Sequence, residues 1–505
     1  MNYYLGIDIG TLGTKVLMVD TTGAVVAEHT SEYDLSQPHN GWAEQDPLLW
    51  WNATVEGIKA VLPKVKAEDV KGIGFSGQMH GLVMLDKNGD VIRPAILWCD
   101  TRTGKECDQI TQLVGKERLI EITANPALAG FTASKIMWVK NNEPENYNKC
   151  CKILLPKDYI RYKLCDVFAT EVSDASGMQL LDIANRCWSD EVLRKLDIDK
   201  NLLAPVYESV EVTGHITQEA AQLTGLCAGT PVVGGGGDNA AAAVGTGVVS
   251  DGKAFTTIGT SGVVFAHTSK MKIDKGGRVH TFCCAVPNQW HVMGVTQAAG
   301  LSLKWYRDNF CSKEIAEAEK LGVDPYVLMD KEAETVDIGC DKLVYLPYLN
   351  GERTPHLDNN ARGVFAGLAV MHGKKHMIRA VMEGVTYSLR DCVEVLKKMN
   401  VPLSDMAVCG GGSKSPLWRQ MLADVFGLKV KTLTSNQGAA LGAAILAMVG
   451  TGEYPTVQQA CDVIIKEKDV HHPVPSHSEK YNKVYSVFAQ LYPSLKESFA
   501  KLADI

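Results

Sequence analysis

VVGGGGDNAAAAVGTGVVSDGKAFTTIGTSG, residues 232–262, is the stretch whose reading decides the fold. It opens on an apolar strand end, Val232 and Val233, and passes through four glycines to Asp238. Glycine lacks the Cβ that bars close backbone approach, so Gly234 to Gly237 predict a tight passage beside another segment or a ligand. Asp238 stands where a small-residue helix through Ala240 to Val244 would begin. A carboxylate there caps free amides and faces whatever the glycines admit. A lone Gly-Asp pair would read as a capped turn; four glycines with a further glycine turn behind them point to a site.

That further turn has a twin near the start of the chain. YYLGIDIGTLGTKVLMVD (3–20) and AFTTIGTSGVVFAHTS (254–269) both run strand, glycine turn, strand. Ile9-Gly10-Thr11 aligns with Ile258-Gly259-Thr260, and Gly13 with Gly262. Copies about half a chain apart predict two similar halves, each opening on a hairpin. Such a turn offers backbone N–H groups and hydroxyls without bulk, which suits a phosphate, and two of them across a cleft would grip one polyphosphate. One copy carries Asp8 where the other carries Thr257, so the halves are not equivalent, and Asp8 is placed to hold Mg²⁺ through water beside the phosphates.

At 505 residues the chain is too long for one core and fits two domains. The border is expected at 246–253, giving domains 1–247 and 248–505. A net charge of −7 argues against nucleic acid or an anionic membrane as the main partner. No run reaches the roughly 20 apolar residues of a bilayer span, and the expected location is cytoplasmic. The 14 cysteines include no Cys-x-x-Cys, so they read as reduced, mostly buried thiols rather than zinc ligands or disulfides. His471, His472 and His477 read as solvated residues of a polar loop.

Other stretches add to the site. VKGIGFSGQMHGLVMLD (70–86) is a strand broken by Gln78, Met79 and His80 between two glycines, and RPAILWCDTR (93–102) ends near Trp98. Strand ends are where open α/β sheets bind ligands. Asp46-Pro47 and Ser415-Pro416 mark helix starts, cap then proline. MAVCGGGSKSPLWRQMLADVFG (406–427) runs strand, glycines, helix, and the bare backbone of Gly410 to Gly412 suits a flat ring or a ribose. SNQGAALGAAILAMVG (435–450) is expected to pack behind it. The segment 377–399 gives the longest helical signal, and Tyr481 to Leu502 reads as two helical pieces around Pro493.

With these residues in hand, the chain resembles the carbohydrate kinases named for their Phe-Gly-Gly-Tyr signature, over almost its whole length. GWAEQDP (41–47), LLPKDYIR (154–161) and LPYLNGERTPH (346–356) carry the resemblance further, as do the GxTxxKxxWxxxN form from Gly130 and the run from Gly363. It implies an α/β fold of two actin-like, ribonuclease H-like domains with an ATP-binding cleft between them. By motif, the first phosphate loop is Gly10, Thr11, Gly13 and Thr14, and the second is Gly259, Thr260 and Ser261. The adenosine site falls on Gly410, Gly411, Gly412 and Ser413, with Gln437 and Gly438 nearby. Asp238 matches the catalytic base and, with Asp8, the Mg²⁺ site. Gln78, Met79, His80, Trp98, Asp238 and Asn239 form the expected sugar site.

The resemblance is strongest to members acting on ketopentoses, which implies ATP-dependent phosphorylation of D-xylulose at its 5-hydroxyl; a homodimer is compatible with it. The sequence lacks the arginine–glutamate pair that glycerol kinases place at Gln78-Met79-His80. L-Ribulose, D-ribulose or another polyol is the neighbouring alternative. An actin-like ATPase switch would keep both phosphate loops without needing the GQMHG pocket. A nicotinamide dehydrogenase would need Gly-x-Gly-x-x-Gly after the first strand, and Gly10-Thr11-Leu12-Gly13-Thr14-Lys15 breaks that spacing.

Overall fold

The computed structural model describes residues 1–505 and contains two seven-stranded sheets. The first is built from β1 (Tyr3–Ile9), β2 (Gly13–Asp20), β3 (Val25–Glu32), β4 (Val70–Gly77), β5 (Val212–His215), β6 (Pro231–Val233) and the short β7 (Gly236–Gly237). Its order is β5-β6-β4-β1-β2-β3, with β7 pairing the end of β4. The second contains β8 (Gly252–Ile258), β9 (Gly262–Thr268), β10 (His280–Cys283), β11 (Trp290–Thr296), β12 (Leu403–Cys409), β13 (Lys429–Leu433) and β14 (Glu467–His471), in the order β10-β11-β9-β8-β12-β13-β14. In each sheet an antiparallel run, three strands in the first and four in the second, leads to two parallel strands and an antiparallel edge. The repeat expected from the two hairpins therefore extends across both sheets.

Alternation along β1 divides labour between its faces. Leu5, Ile7 and Ile9 join the core with Trp50 and Ile58 of the helix Pro47–Val61. That helix starts as expected, with Asp46 accepting from Leu48 N and Pro47 in the first turn. Tyr4, Gly6 and Asp8 point the other way. The face of Gly6 receives a helix from the second half, α2 (Gly438–Gly450), whose residues are almost all Gly, Ala or aliphatic. A Cβ on Gly6 would run into Ala440 O, and one on Gly74 of β4 into Ala443 O. The small residues of 438–450 thus serve direct contact with the first sheet. This corrects the expectation that they pack behind the 410–412 glycines.

The same helix crosses α1 (Asp238–Gly245) just as closely: a Cβ on Gly442 would strike Ala241 O, and one on Gly245 would strike Gly438 O. The two halves meet at this crossing through backbone rather than through long side chains.

Three further expectations change. The longest helix is Pro475–Ala503, ahead of Lys374–Lys398, and it passes through Pro493 without breaking. Tyr481, Phe488, Tyr492 and Phe499 bury one stripe on both sides of the proline, which offsets the roughly 3 kcal/mol a mid-helix proline costs. His471 ends β14, and His477 lies on the last helix beside Asp424 Oδ2 at 3.1 Å, so neither is in an open loop. All fourteen thiols are free, and no helix is long and apolar enough to cross a membrane.

Candidate active site

The two hairpin turns fall where the repeat put them, each between paired strands. Gly10 N donates to Gly13 O at 2.9 Å in the first, and Gly259 N to Ser261 O at 3.1 Å in the second. Thr11 is half-buried, and Thr260 and Ser261 are exposed, with hydroxyls open to a ligand. Thr14 is different. Its side chain is fully buried on the Tyr33 hydroxyl at 3.1 Å, and that hydroxyl donates to Gly10 O at 2.7 Å. Thr14 and Tyr33 therefore brace the first turn from behind, a role for Tyr33 that no motif signals.

Asp8 sits at the end of β1, opposite Ser76 of β4. Burial raises its carboxyl above the usual range, offset in part by Ser76 and Lys15. The four glycines deliver Asp238 to the same place. Gly235, at φ 77°, presses onto the Phe75 backbone, and a Cβ on Gly237 would lie 2.8 Å from Met79 Cγ. Their close approach is thus to β4 and its following loop. Asp238 is the first residue of α1 rather than its cap; Oδ1 accepts from Asn239 N at 2.6 Å and Asn239 Nδ2 at 2.9 Å. Burial first and the Asp8 charge second push its carboxyl up to about 7, against the pull of the Asn239 donors. Gly237 N is pinned to Ser173 Oγ at 3.0 Å, which fixes the entry to α1.

His80 has a left-handed backbone, φ 69°, uncommon for a residue with a side chain. Its Nδ1 donates to Gly177 O at 2.9 Å; since a carbonyl only accepts, the proton is on Nδ1 and Nε2 keeps its lone pair. Burial, followed by the nearby Lys135 charge, pulls its pKa down to about 3, so the ring is neutral. Phe131 lies 4.7 Å from it, and Phe282 of β10 6.2 Å, so both halves wall this pocket. Met79 is buried in the same aromatic cluster.

Two expected sugar contacts stand elsewhere. Gln78 is buried, accepts from Thr11 Oγ1 at 3.3 Å and donates to Gly10 O and Gln45 Oε1. Trp98 Nε1 donates to Thr11 Oγ1 at 2.9 Å from an exposed ring. Both side chains brace the first turn. Loop position was readable from sequence; the direction of these side chains was not.

A cavity of about 360 Å³ opens beside the second turn. Gly259, Thr260, Gly411, Gly412, Tyr326 and Val327 are among the residues that line it. Gly410 needs its φ of 81° and its missing Cβ, which would lie 2.7 Å from Ile258 O. Gly411 has nothing within 4 Å on its Cβ side. Ser413 Oγ turns back onto Gly410 O at 2.7 Å. Gln437 and Gly438 do not line this cavity: Gln437 Nε2 donates to Glu28 Oε2 in the first half at 2.7 Å, and Gly438 starts α2. Tyr326 and Val327 had no sequence signal, because they arrive on a helix, Pro325–Glu334, remote from every glycine motif.

Two lobes of repeated topology, a glycine-lined cavity in one and paired carboxylates beside a neutral pocket in the other, define a two-lobed phosphotransferase of small molecules. The chain belongs to the FGGY family of carbohydrate kinases: the family's N-terminal domain matches residues 3–245 and its C-terminal domain residues 254–451. It is 39% identical to the xylulose kinase of Bacillus subtilis (strain 168) over 98% of each chain. It is 32% identical to the gluconokinase of Bacillus licheniformis, over all of this chain and 98% of the relative. The crystal structure of xylulose kinase from Rhodospirillum rubrum superposes with a TM-score of 0.92 at 29% identity, covering 99% of this chain and all of that one.

Proposed function

We propose that this kinase transfers the γ-phosphoryl group of ATP to the 5-hydroxyl of D-xylulose, giving D-xylulose 5-phosphate. The observation that carries this reading is the position of Asp238 beside both Asp8 and the pocket of Met79, His80 and Asn239. Full-length similarity to xylulose kinases supports the choice of sugar. The residues 1–247 are assigned to the sugar side and 248–505 to the nucleotide side.

Asp238 accepts the proton of the sugar hydroxyl as its oxygen bonds to the γ-phosphorus and the bond from that phosphorus to ADP breaks. His80 Nε2 accepts a hydrogen bond from a sugar hydroxyl, and Asn239 keeps Asp238 aimed. The turns at 10–13 and 259–261 supply backbone and hydroxyl donors to the phosphates, and the base and ribose lie over Gly411 and Gly412. Asp8 and Asp238, two neighbouring carboxylates with no lysine or arginine bonded to either, fit a hard divalent cation. Mg²⁺ held there supplies neutralisation of phosphate charge. Catalysis is then mostly positioning and electrostatics.

The test is coupled ADP release against D-xylulose, L-ribulose, D-ribulose, glycerol and gluconate. D-Xylulose should give the highest kcat/KM; a flat response across sugars would sink the reading. The gluconokinase relative favours a second reading, gluconate as acceptor, which the same assay separates.

A further inference from the structure

The deeply buried arginines Arg93, Arg161 and Arg379 have their guanidinium groups on carboxylates or carbonyls: Arg93 on Glu44 and Glu143, Arg161 on Val167 O and Ala169 O, Arg379 on Glu383. Arg353, in the LPYLNGERTPH stretch, is half-buried and its guanidinium makes no hydrogen bond or ion pair within the chain. Burial pulls it below the usual arginine range, with the Glu352 charge opposing. None of its side-chain nitrogens is sealed from solvent, so its N–H donors stay available to a ligand.

Its backbone, by contrast, is held from every side. Arg353 N donates to Glu352 Oε1 at 2.7 Å, and Arg353 O accepts from Leu357 N at 2.6 Å. Glu352 is itself buried and also accepts from Gln297 N, Thr296 Oγ1 and Ser388 Oγ. Thr354 bonds Val295 of β11 through both N and Oγ1, and its Oγ1 donates to Arg278 O at 2.7 Å. This platform sits beside the start of β10 and turns Arg353 toward the aromatic pocket. The Arg353 charge reaches His80 of the first lobe and His280 of the second, while Asp238 feels Asp8 and not Arg353. His280 is stacked on Phe282 at 5.7 Å and lies 5.7 Å from Phe131, in the same aromatic pocket as His80.

We propose that Arg353 is a substrate-binding residue supplied by the second lobe, its guanidinium donating to the ketose carbonyl and the adjacent C1 hydroxyl while Asp238 serves the hydroxyl at the other end. The assignment rests on the sugar-kinase reading and extends it: sugar recognition is shared by both lobes. A planar fork of donors suits two neighbouring oxygens, as it suits a carboxylate.

The experiment compares wild type, R353M and R353K in steady-state kinetics with D-xylulose, 1-deoxy-D-xylulose and ATP. R353M should raise the KM for D-xylulose by about 10- to 100-fold, the loss expected for one or two charge-assisted hydrogen bonds. The KM for ATP should stay within about twofold, which also reports an intact fold, and R353K should recover part of the loss. Wild type should prefer D-xylulose to its 1-deoxy analogue, and R353M should lose that preference. An unchanged KM for D-xylulose, or a preference kept intact in R353M, would overturn the assignment. Wild-type turnover of gluconate in place of D-xylulose would instead overturn the proposed function. In that case a raised gluconate KM in R353M keeps Arg353 as a substrate ligand, and an unchanged one removes it.

Discussion

The two lobes carry the same strand plan and fill one position in it with opposite chemistry. After β4 the first lobe continues as Gly77-Gln78-Met79-His80; after β12 the second continues as Gly410-Gly411-Gly412-Ser413. The first loop is rich in side chains and offers a ring nitrogen to a hydroxylated ligand. The second is bare backbone, and Gly411 and Gly412 line a cavity of about 360 Å³. One strand inward the same contrast recurs, since Asp8 faces Ser76 where Thr257 faces Cys409. Under the proposed function the duplicated frame presents two ligand sites, and the residues at equivalent strand ends distinguish a sugar side from a nucleotide side.

That division can be broken most sharply at Asp238. Asp238→Asn should cut kcat by about 10²- to 10⁴-fold, the span of general-base contributions, with the KM for ATP nearly unchanged. Near-normal turnover would show that the first lobe's carboxylate is not the base.

The pH profile gives the next largest effect. Asp238 is raised to about 7, so the carboxylate proposed as the base is present above that pH and is lost as pH falls through it. The kcat/KM for the sugar should drop about tenfold per unit on the acid side. A profile flat down to pH 5 would contradict the raised value.

Glycines in the two lobes should respond differently to one methyl group. Gly74→Ala would force a Cβ into Ala443 O at the lobe joint and should destabilise by about 1–3 kcal/mol or more, read as a lowered Tm. Gly411→Ala meets nothing within 4 Å and should leave Tm alone while raising the KM for ATP. Equal shifts in Tm would mean that the glycines share one structural role.

A last effect concerns Glu352, whose carboxyl burial pushes up to about 7 from an ordinary 4.5. The folded chain keeps this proton where the unfolded chain loses it. The stability it contributes is therefore present below about 4.5 and is lost as pH rises through 7. Glu352→Gln should flatten that stretch of the stability curve measured by denaturant melts; an unaltered slope would argue against the shift.

Much of this was legible because it is local. The hairpin turns, the proline-marked helix starts at Asp46 and Ser415 and the arrival of Asp238 after four glycines each depend on a few adjacent residues. What escaped depends on packing between distant segments. The orientation of Gln78 and Trp98 is set by Thr11, the cavity wall at Tyr326 by a helix far from any glycine, and the continuity past Pro493 by an aromatic stripe. The small residues of α2 signalled close packing but not its partner, since nothing in their spacing names the sheet they rest on.

The crossing of α1 and α2 carries one more consequence. Gly245 meets Gly438 and Gly442 meets Ala241, so each helix gives the other what it receives. Reciprocal contact of this kind belongs to a two-fold axis. The two lobes are thus related across this joint by a local pseudo-two-fold axis.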